Sequence, residues 1–423
     1  MPRIRIVFPT AWDRQQLEAR PELWRGEFDL SFATPADADT PDDLDVLTWI
    51  DAAVAGWRGE VDGVLSSSDY PGIAVAAAVA HALGLPAGPP DTIMRAAHKG
   101  LARAVQAEAL PEATPAFQVL DPDRLDDTAL TVPMPCFVKP AKGCFSVLAK
   151  RCDDEAAVRA FLEDPFVAEY RTYYLRIYRE LVARYLGADV DGTVFVAEEM
   201  LRGRMVTVEG WVADAEPHAL GVVDSLRHAR TGSFVGFRYP SVLPASVQQR
   251  LEATACRLAA AFGLRWTMFN AEFFYDPDTD RIGTVEVNPR LCGQFADLYE
   301  KVDGVHGYRI ALELAAGRVP RVARGAGPFE AAASYPLRVF EPVVCAAAPD
   351  TDAIAAARAL VPQTLVWNEA HAGDRLTDFA RGDDGHSYRY AVVNVGGDAA
   401  GGLERNRDRV VERLGYRFEP ATG

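Results

Sequence analysis

Lysine is scarce in this sequence. Only five of its 44 basic residues are lysine, at positions 99, 139, 142, 150 and 301. Where arginine is the default cation, each retained lysine marks a place that wants a compact ammonium rather than a guanidinium. Cysteine is sparse too. The six, at 136, 144, 152, 256, 292 and 345, form no CxxC pair and have no histidine at zinc spacing, which argues against a zinc-ligand framework. They read as reduced thiols in a cytoplasmic protein. No apolar run reaches bilayer length; GIAVAAAVAHALGLP, Gly72 to Pro86, reads as a buried Ala-rich helix. The opening MPRIRIVFPTAWD has no signal-peptide core. Basic excess is missing as well. Sixty acids against 44 bases leave a net charge of −16, which disfavours nucleic acid and anionic membrane as partners.

What is present is an ordinary globular composition, 49% apolar and 25% charged, over 423 residues. That length predicts several structural units. The first ~90 residues alternate strand and helix, with strands at Ile4–Phe8 and Gly63–Ser66 and a helix at Gly72–Leu83. FPTAWD after the first strand contains no GxGxxG, so an ordinary dinucleotide fold is disfavoured. Beyond the break at Pro86–Pro90, DTIMRAAHKGLARAVQAEA reads as a helix, and CFVKPAK and FSVLAKRC as strands of a small lid. Helices follow at DDEAAVRAFLED and Tyr170–Tyr185, and VFVAEEML closes the lid. Alternation then predicts a larger antiparallel sheet from Met205 onward, a helix at Ala245–Phe262, and a hairpin of Trp266–Tyr275 with Ile282–Asn288 around PDTD. Strands at Ala332–Phe340 and Arg389–Asn394 and a helix at Leu403–Leu414 make a closing domain.

The hairpin carries the chemistry. Glu272 and Glu286 fall nearly opposite one another, within one register step, and two facing carboxylates repel unless something positive lies between them. FNAEFF and TVEVN are too apolar for free solvation. Asn288 leaves the strand on the same face as Glu286, and hard oxygen donors without His or Cys point to Mg²⁺. Mg²⁺ so held keeps positions for phosphates, which predicts cations nearby. Lys139 in FVKPAKG is the first candidate and Lys99 the second. Arg290 follows Pro289 directly. Gly293 lets the next turn bend, and Gln294 reads as lining a substrate pocket or as a helix-capping glutamine facing solvent. His228 in LRHARTG reads as a substrate contact or as a solvated loop histidine, and Cys292 as small apolar packing.

In order along the chain, GLPAGPP, a lysine-bearing helix, the FVKP strand, a short glycine loop, an EE hinge and E…EVNPR resemble the ATP-grasp superfamily. The likeness covers about residues 1–320. Within the superfamily, TVEGWV, GSFVGFRYPSVLP, KVDGVHGYRIALELAAG and SYRYAVVNVGG are most similar to the carboxylate–amine, or L-amino-acid, ligases. The resemblance implies a mixed α/β (α+β) chain. Its parts would be a Rossmann-like β/α unit (1–92), a connecting helical segment (93–130), a lid (131–203), a metal-bearing unit with a large antiparallel sheet (204–328) and a C-terminal α+β domain (329–423).

The resemblance also implies ATP with Mg²⁺ as cofactors, admits a second ion and Mn²⁺ as a substitute, and expects small carboxylate and amine substrates. It is compatible with a homodimer. Residue by residue, Lys99 and Lys139 would contact the phosphates, with Lys142, Gly143 and Ser146 on or beside the loop closing over them. Glu198 would accept from the adenine amino group, and the backbone at Met200 and Leu201 would supply the hinge. Glu272, Glu286 and Asn288 would hold the metal. Arg290 would meet the transferred phosphoryl group or the carboxylate, making Arg290 and Lys139 the catalytic pair. Met205 stands where an acid usually meets the ribose, leaving Glu209 as the nearby acid that could serve. Gly236 stands where related ligases place an acid for the substrate's amino group. The implied reaction activates a carboxylate as an acyl phosphate for attack by an amine. An ATP-dependent carboxylase of the biotin-carboxylase type and a nucleotide-binding regulator without turnover are the alternatives.

Overall fold

The computed structural model describes residues 1–35, 44–143, 147–377 and 385–421. The N-terminal unit is a parallel sheet with Arg3–Val7 between Asp29–Ala33 and Gly63–Leu65. Helix Gly72–Ala82 is buried on nearly every side, as an all-apolar helix must be. Among the described residues, no helix is long and apolar enough to cross a membrane.

The lid is a four-stranded antiparallel sheet in the order Phe117–Leu120, Phe195–Glu199, Cys136–Pro140, Lys150–Cys152. Of the expected FSVLAKRC strand, Phe145 and Ser146 lie outside the described residues, and among the rest Lys150–Cys152 is paired. The segment over 170–185 is helical, as expected, but begins with one π-helical turn at Tyr170–Tyr174.

The large antiparallel sheet has eight strands. Arg281–Asn288 is at one edge, followed by Thr267–Asp276, Arg204–Ala213, Glu216–Arg227 and Phe234–Tyr239. Ala331–Val339, Tyr388–Gly397 and Leu365–Asn368 complete it. The C-terminal strands therefore continue the sheet that carries Glu272 and Glu286 across the boundary expected at 328/329. Helix Ala245–Ala261 places Val247, Leu251, Ala255 and Leu258 on one stripe against Val206, Val208, Phe269 and Phe273. Each fully buried leucine there contributes about 2 kcal/mol.

Two local features aim the chemistry. The expected single helix over 91–109 is broken at His98 into Pro90–Ala97 and Lys99–Ala109. The His98 Nδ1 accepts from Leu101 N–H at 3.2 Å, and its Nε2 bonds the Asp191 carbonyl at 3.0 Å. Burial lowers its pKa, so the ring is neutral and donates through Nε2. Lys99 thereby becomes the first residue of a helix, with its N–H donating to the Ala141 carbonyl at 2.8 Å. The hairpin turn is the second feature. Asp276 accepts from Asp278 N–H at 3.0 Å and Thr279 Oγ1 at 2.8 Å, and Asp280 takes a left-handed φ of 53°. The register pairs Glu272 with Glu286 and then Phe273 with Thr284, leaving Val285 as a bulge.

Candidate active site

The bulge supplies a ligand before any side chain does. The Val285 carbonyl accepts from Lys139 Nζ at 3.2 Å and from Arg103 Nη2 at 2.8 Å. A bulged residue lacks a ladder partner, so its carbonyl is open to cations from the opposite wall. Lys139 Nζ also lies 2.9 Å from Glu198 Oε2, and Arg103 Nε donates to Glu198 Oε1 at 2.8 Å. All three side chains are buried. Burial pushes the Lys139 ammonium down against the pull of Glu198. Burial also works against the Glu198 carboxylate, but Lys139 and then Arg103 hold it below its ordinary range.

The other cleft lysines have acid partners as well. Lys99 Nζ is 3.1 Å from Glu286 Oε2 and donates to the Gly143 carbonyl at 3.3 Å. Lys142 Nζ is 3.3 Å from Asp69 Oδ2, and Asp69 Oδ1 is 3.6 Å from Arg290 Nε. Lys99, Arg103, Lys142, Glu286 and Asn288 line one narrow cleft between lid and hairpin. Three of the five lysines thus converge. The other two do not. Lys301 is buried in an ion pair with Asp297, and Lys150 is exposed with its ammonium over Phe161.

The metal donors fit a hard cation. Glu272 and Glu286 are directly opposed, and Asn288 Nδ2 donates to Glu286 Oε1 at 3.2 Å, which leaves the Asn288 carbonyl oxygen out of that bond. Loss of water and then the Glu286 charge push Glu272 well above the usual carboxylate range. Desolvation acts on Glu286 too, but Lys99 and Lys139 outweigh it and keep that carboxylate ionised. Among the described residues, no three His, Cys, Asp or Glu side chains cluster as a metal site. Two carboxylates and an amide are instead the set that Mg²⁺ shares with phosphate.

A proton linkage follows. A Glu272 pKa raised in the fold contributes stability that is complete below its unfolded value and is lost as pH rises through the folded value. Metal-free Glu272→Gln should therefore melt a few degrees above the wild type above neutrality, with the gap closing toward about pH 5. Calorimetric melts with chelator at both pH values check this; an equal gap at each would contradict it.

The remaining expected residues fall variously. Leu201 packs on Gly283, where an added Cβ would come within 2.4 Å of Leu201 Cδ2; Met200 precedes it directly after the Phe195–Glu199 strand. Glu198, expected to meet adenine, spends both oxygens on Lys139 and Arg103. Glu209, expected near the ribose, is fully buried behind the turn after Arg290. It accepts from Cys292 N–H at 2.7 Å and Tyr299 Oη at 3.2 Å, and burial pushes its carboxyl up to about 7. Gln294 Nε2 donates to Ser334 Oγ at 2.9 Å, while the Gly293 carbonyl accepts from Gln16 at 2.8 Å. His228 bonds Thr231 Oγ1 at 3.0 Å and stacks on Phe340 at 4.3 Å. Ser146 lies outside the described residues. Sequence reading missed Arg103 and Asp69. Arg103 had a signal, since it stands four residues after Lys99 on one helix face.

Residues 132–297 match the family described as ATP-grasp domain. No curated protein matches the chain. Among solved structures, L-amino acid ligase from Bacillus licheniformis is similar with a TM-score of 0.73 at 15% identity, over 100% of this chain and 99% of that one. N5-carboxyaminoimidazole synthase from Aspergillus clavatus, in complex with ADP and 5-aminoimidazole ribonucleotide, gives 0.63 at 13%, over 98% of both chains. Biotin carboxylase from Campylobacter jejuni gives 0.61 at 12%, over 99% of this chain and 92% of that one. The chain carries an ATP-grasp domain, and its architecture is the ATP-grasp fold.

Proposed function

We propose that this ATP-grasp protein is a carboxylate–amine ligase that uses ATP and Mg²⁺ to form an amide bond, with an amino acid among its substrates. The observation that carries the reading is the cleft lined by Lys99, Lys142, Glu286 and Asn288, with Lys139 on the carbonyl of its lining residue Val285, Glu272 opposite Glu286, and Arg290 on the Asp69 that also meets Lys142. The likeness in fold to an L-amino acid ligase over the full length of both chains supports the same choice.

Lys99, Lys139 and Lys142 would hold and orient the phosphates of ATP, and Arg290 would hold the substrate carboxylate. Glu272, Glu286 and Asn288 would hold Mg²⁺, which when bound neutralises charge on the phosphates. A carboxylate oxygen attacks the γ-phosphorus and the bond to ADP breaks, giving an acyl phosphate. The amine nitrogen then attacks the acyl carbon, phosphate leaves, and the amine proton passes to solvent. The chain's part is positioning and charge stabilisation.

The test is ADP release across pairs of amino acids. Release that needs both an acid and an amine is expected. Release that needs bicarbonate would transfer the protein to the carboxylases, and tight ATP binding without turnover on any substrate would make it a regulator.

A further inference from the structure

Glu198 and Lys139 stand on one face of the lid sheet. The register pairs Glu198 with Phe137, and Lys139 lies two residues on, so the two are diagonal neighbours across adjacent strands. An ammonium has three hydrogens to donate. At Lys139 one is aimed at Glu198 Oε2, 2.9 Å away, and one at the bulged Val285 carbonyl, 3.2 Å away. With two acceptors fixing it, the ammonium has one hydrogen left for a phosphate.

Arg103 claims the other oxygen of Glu198. Its guanidinium is 2% exposed and is held from three directions. Nε donates to Glu198 Oε1 at 2.8 Å, Nη2 to the Val285 carbonyl at 2.8 Å, and Nη1 to Gln106 Oε1 one turn along the same helix. The carboxylate is thus shared by two buried cations and is itself 4% exposed. The likeness to ATP-grasp proteins would give it to the adenine amino group, which is a neutral donor. To take either oxygen, that group would have to part a buried cation from its anion, and removing one partner from a buried pair is costly.

We infer that Glu198 is a positioning residue, which fixes Lys139 for the nucleotide phosphates and takes no part in reading the base. This departs from the role that the resemblance gives Glu198, and it rests on the proposed phosphate role of Lys139.

The test is calorimetric titration, with Mg²⁺, of ADP and of purine riboside diphosphate, which lacks only the amino group of the base. The samples are the wild type, Glu198→Gln, Lys139→Met and the double variant. Glu198→Gln should weaken both nucleotides by the same factor, about tenfold, and should weaken neither further once Lys139 is methionine. A loss of about tenfold or more on ADP alone, the worth of a bond to a charged group, would make Glu198 a reader of the base and overturn the inference. Losses on both nucleotides that persist undiminished without Lys139 would mean a general loosening of the lid, and would overturn it too, as would no loss on either. Should Glu198→Gln fail to fold with two cations facing one amide, Glu198→Asp, which keeps the charge on a shorter arm, takes its place in the same cycle under the same criteria. A wild type that binds ADP but releases none from ATP with any acid loses the ligase reading alone, and the titrations still decide the role of Glu198. A wild type that binds neither nucleotide overturns both.

Discussion

Replacing Glu286 with alanine is expected to lower ATP turnover by roughly a thousandfold or more while the protein stays folded. Glu286 is the ionised member of the opposed pair, the partner of Lys99 at 3.1 Å and the acceptor for Asn288 at 3.2 Å. Its loss would remove a ligand of the proposed Mg²⁺ and free Lys99 from its fixed position. The fold should tolerate the change because two opposed carboxylates destabilise a metal-free hairpin, and alanine relieves that repulsion against Glu272. ADP release at saturating Mg²⁺, with a thermal melt of the same sample, reads both halves. Undiminished turnover would remove Glu286 from the metal site.

Lys139 carries the second large effect. Lys139→Ala should slow turnover by roughly a hundredfold, and Lys139→Arg should restore little of it. The Lys139 ammonium is 5% exposed and fits between Glu198 Oε2 at 2.9 Å and the Val285 carbonyl at 3.2 Å, on a wall it shares with Arg103. A second planar guanidinium would compete with Arg103 for the same two acceptors, and it cannot present the point charge that a phosphate meets on lysine. Steady-state kinetics with varied ATP separates a binding defect from a slower chemical step. Full activity in the arginine variant would show that any cation suffices.

The opposition of Glu272 and Glu286 was legible because strand periodicity is strict. Two acids at fixed distances from PDTD must come within a register step of one another, and the Val285 bulge is that step. Lysine scarcity pointed to Lys99, Lys139 and Lys142 for the same kind of reason: rarity against an arginine background is visible without a structure. It also pointed to Lys301, which is held by Asp297 in the packed interior, because a buried helical pair can favour lysine as much as a ligand site can.

Other parts left little trace in the chain. The break at His98 has no proline or turn residue before it; it depends on the bond from His98 to the Asp191 carbonyl, 93 residues away in sequence. Asp69 reaches the site through the packing of the N-terminal unit on the lid, where Tyr70 Oη donates to the Tyr174 carbonyl at 2.7 Å. Glu209 read as an acid that could serve the ribose, but its strand partner and the turn after Arg290 take it inward. The continuation of the large sheet into the C-terminal strands depends on pairing of Phe234–Tyr239 with Ala331–Val339, a long-range choice that local pattern does not encode.

The proposed ligase reaction transfers one carboxylate oxygen of the activated amino acid to phosphate. Small amino acids labelled with oxygen-18 in the carboxylate would be incubated with the protein, ATP, Mg²⁺ and an amine, and the released phosphate read by phosphorus NMR. Activation as an acyl phosphate predicts one heavy oxygen in each phosphate released. Phosphate that forms with ADP yet carries no label from any amino acid, or takes it only from labelled bicarbonate, would contradict the ligase assignment.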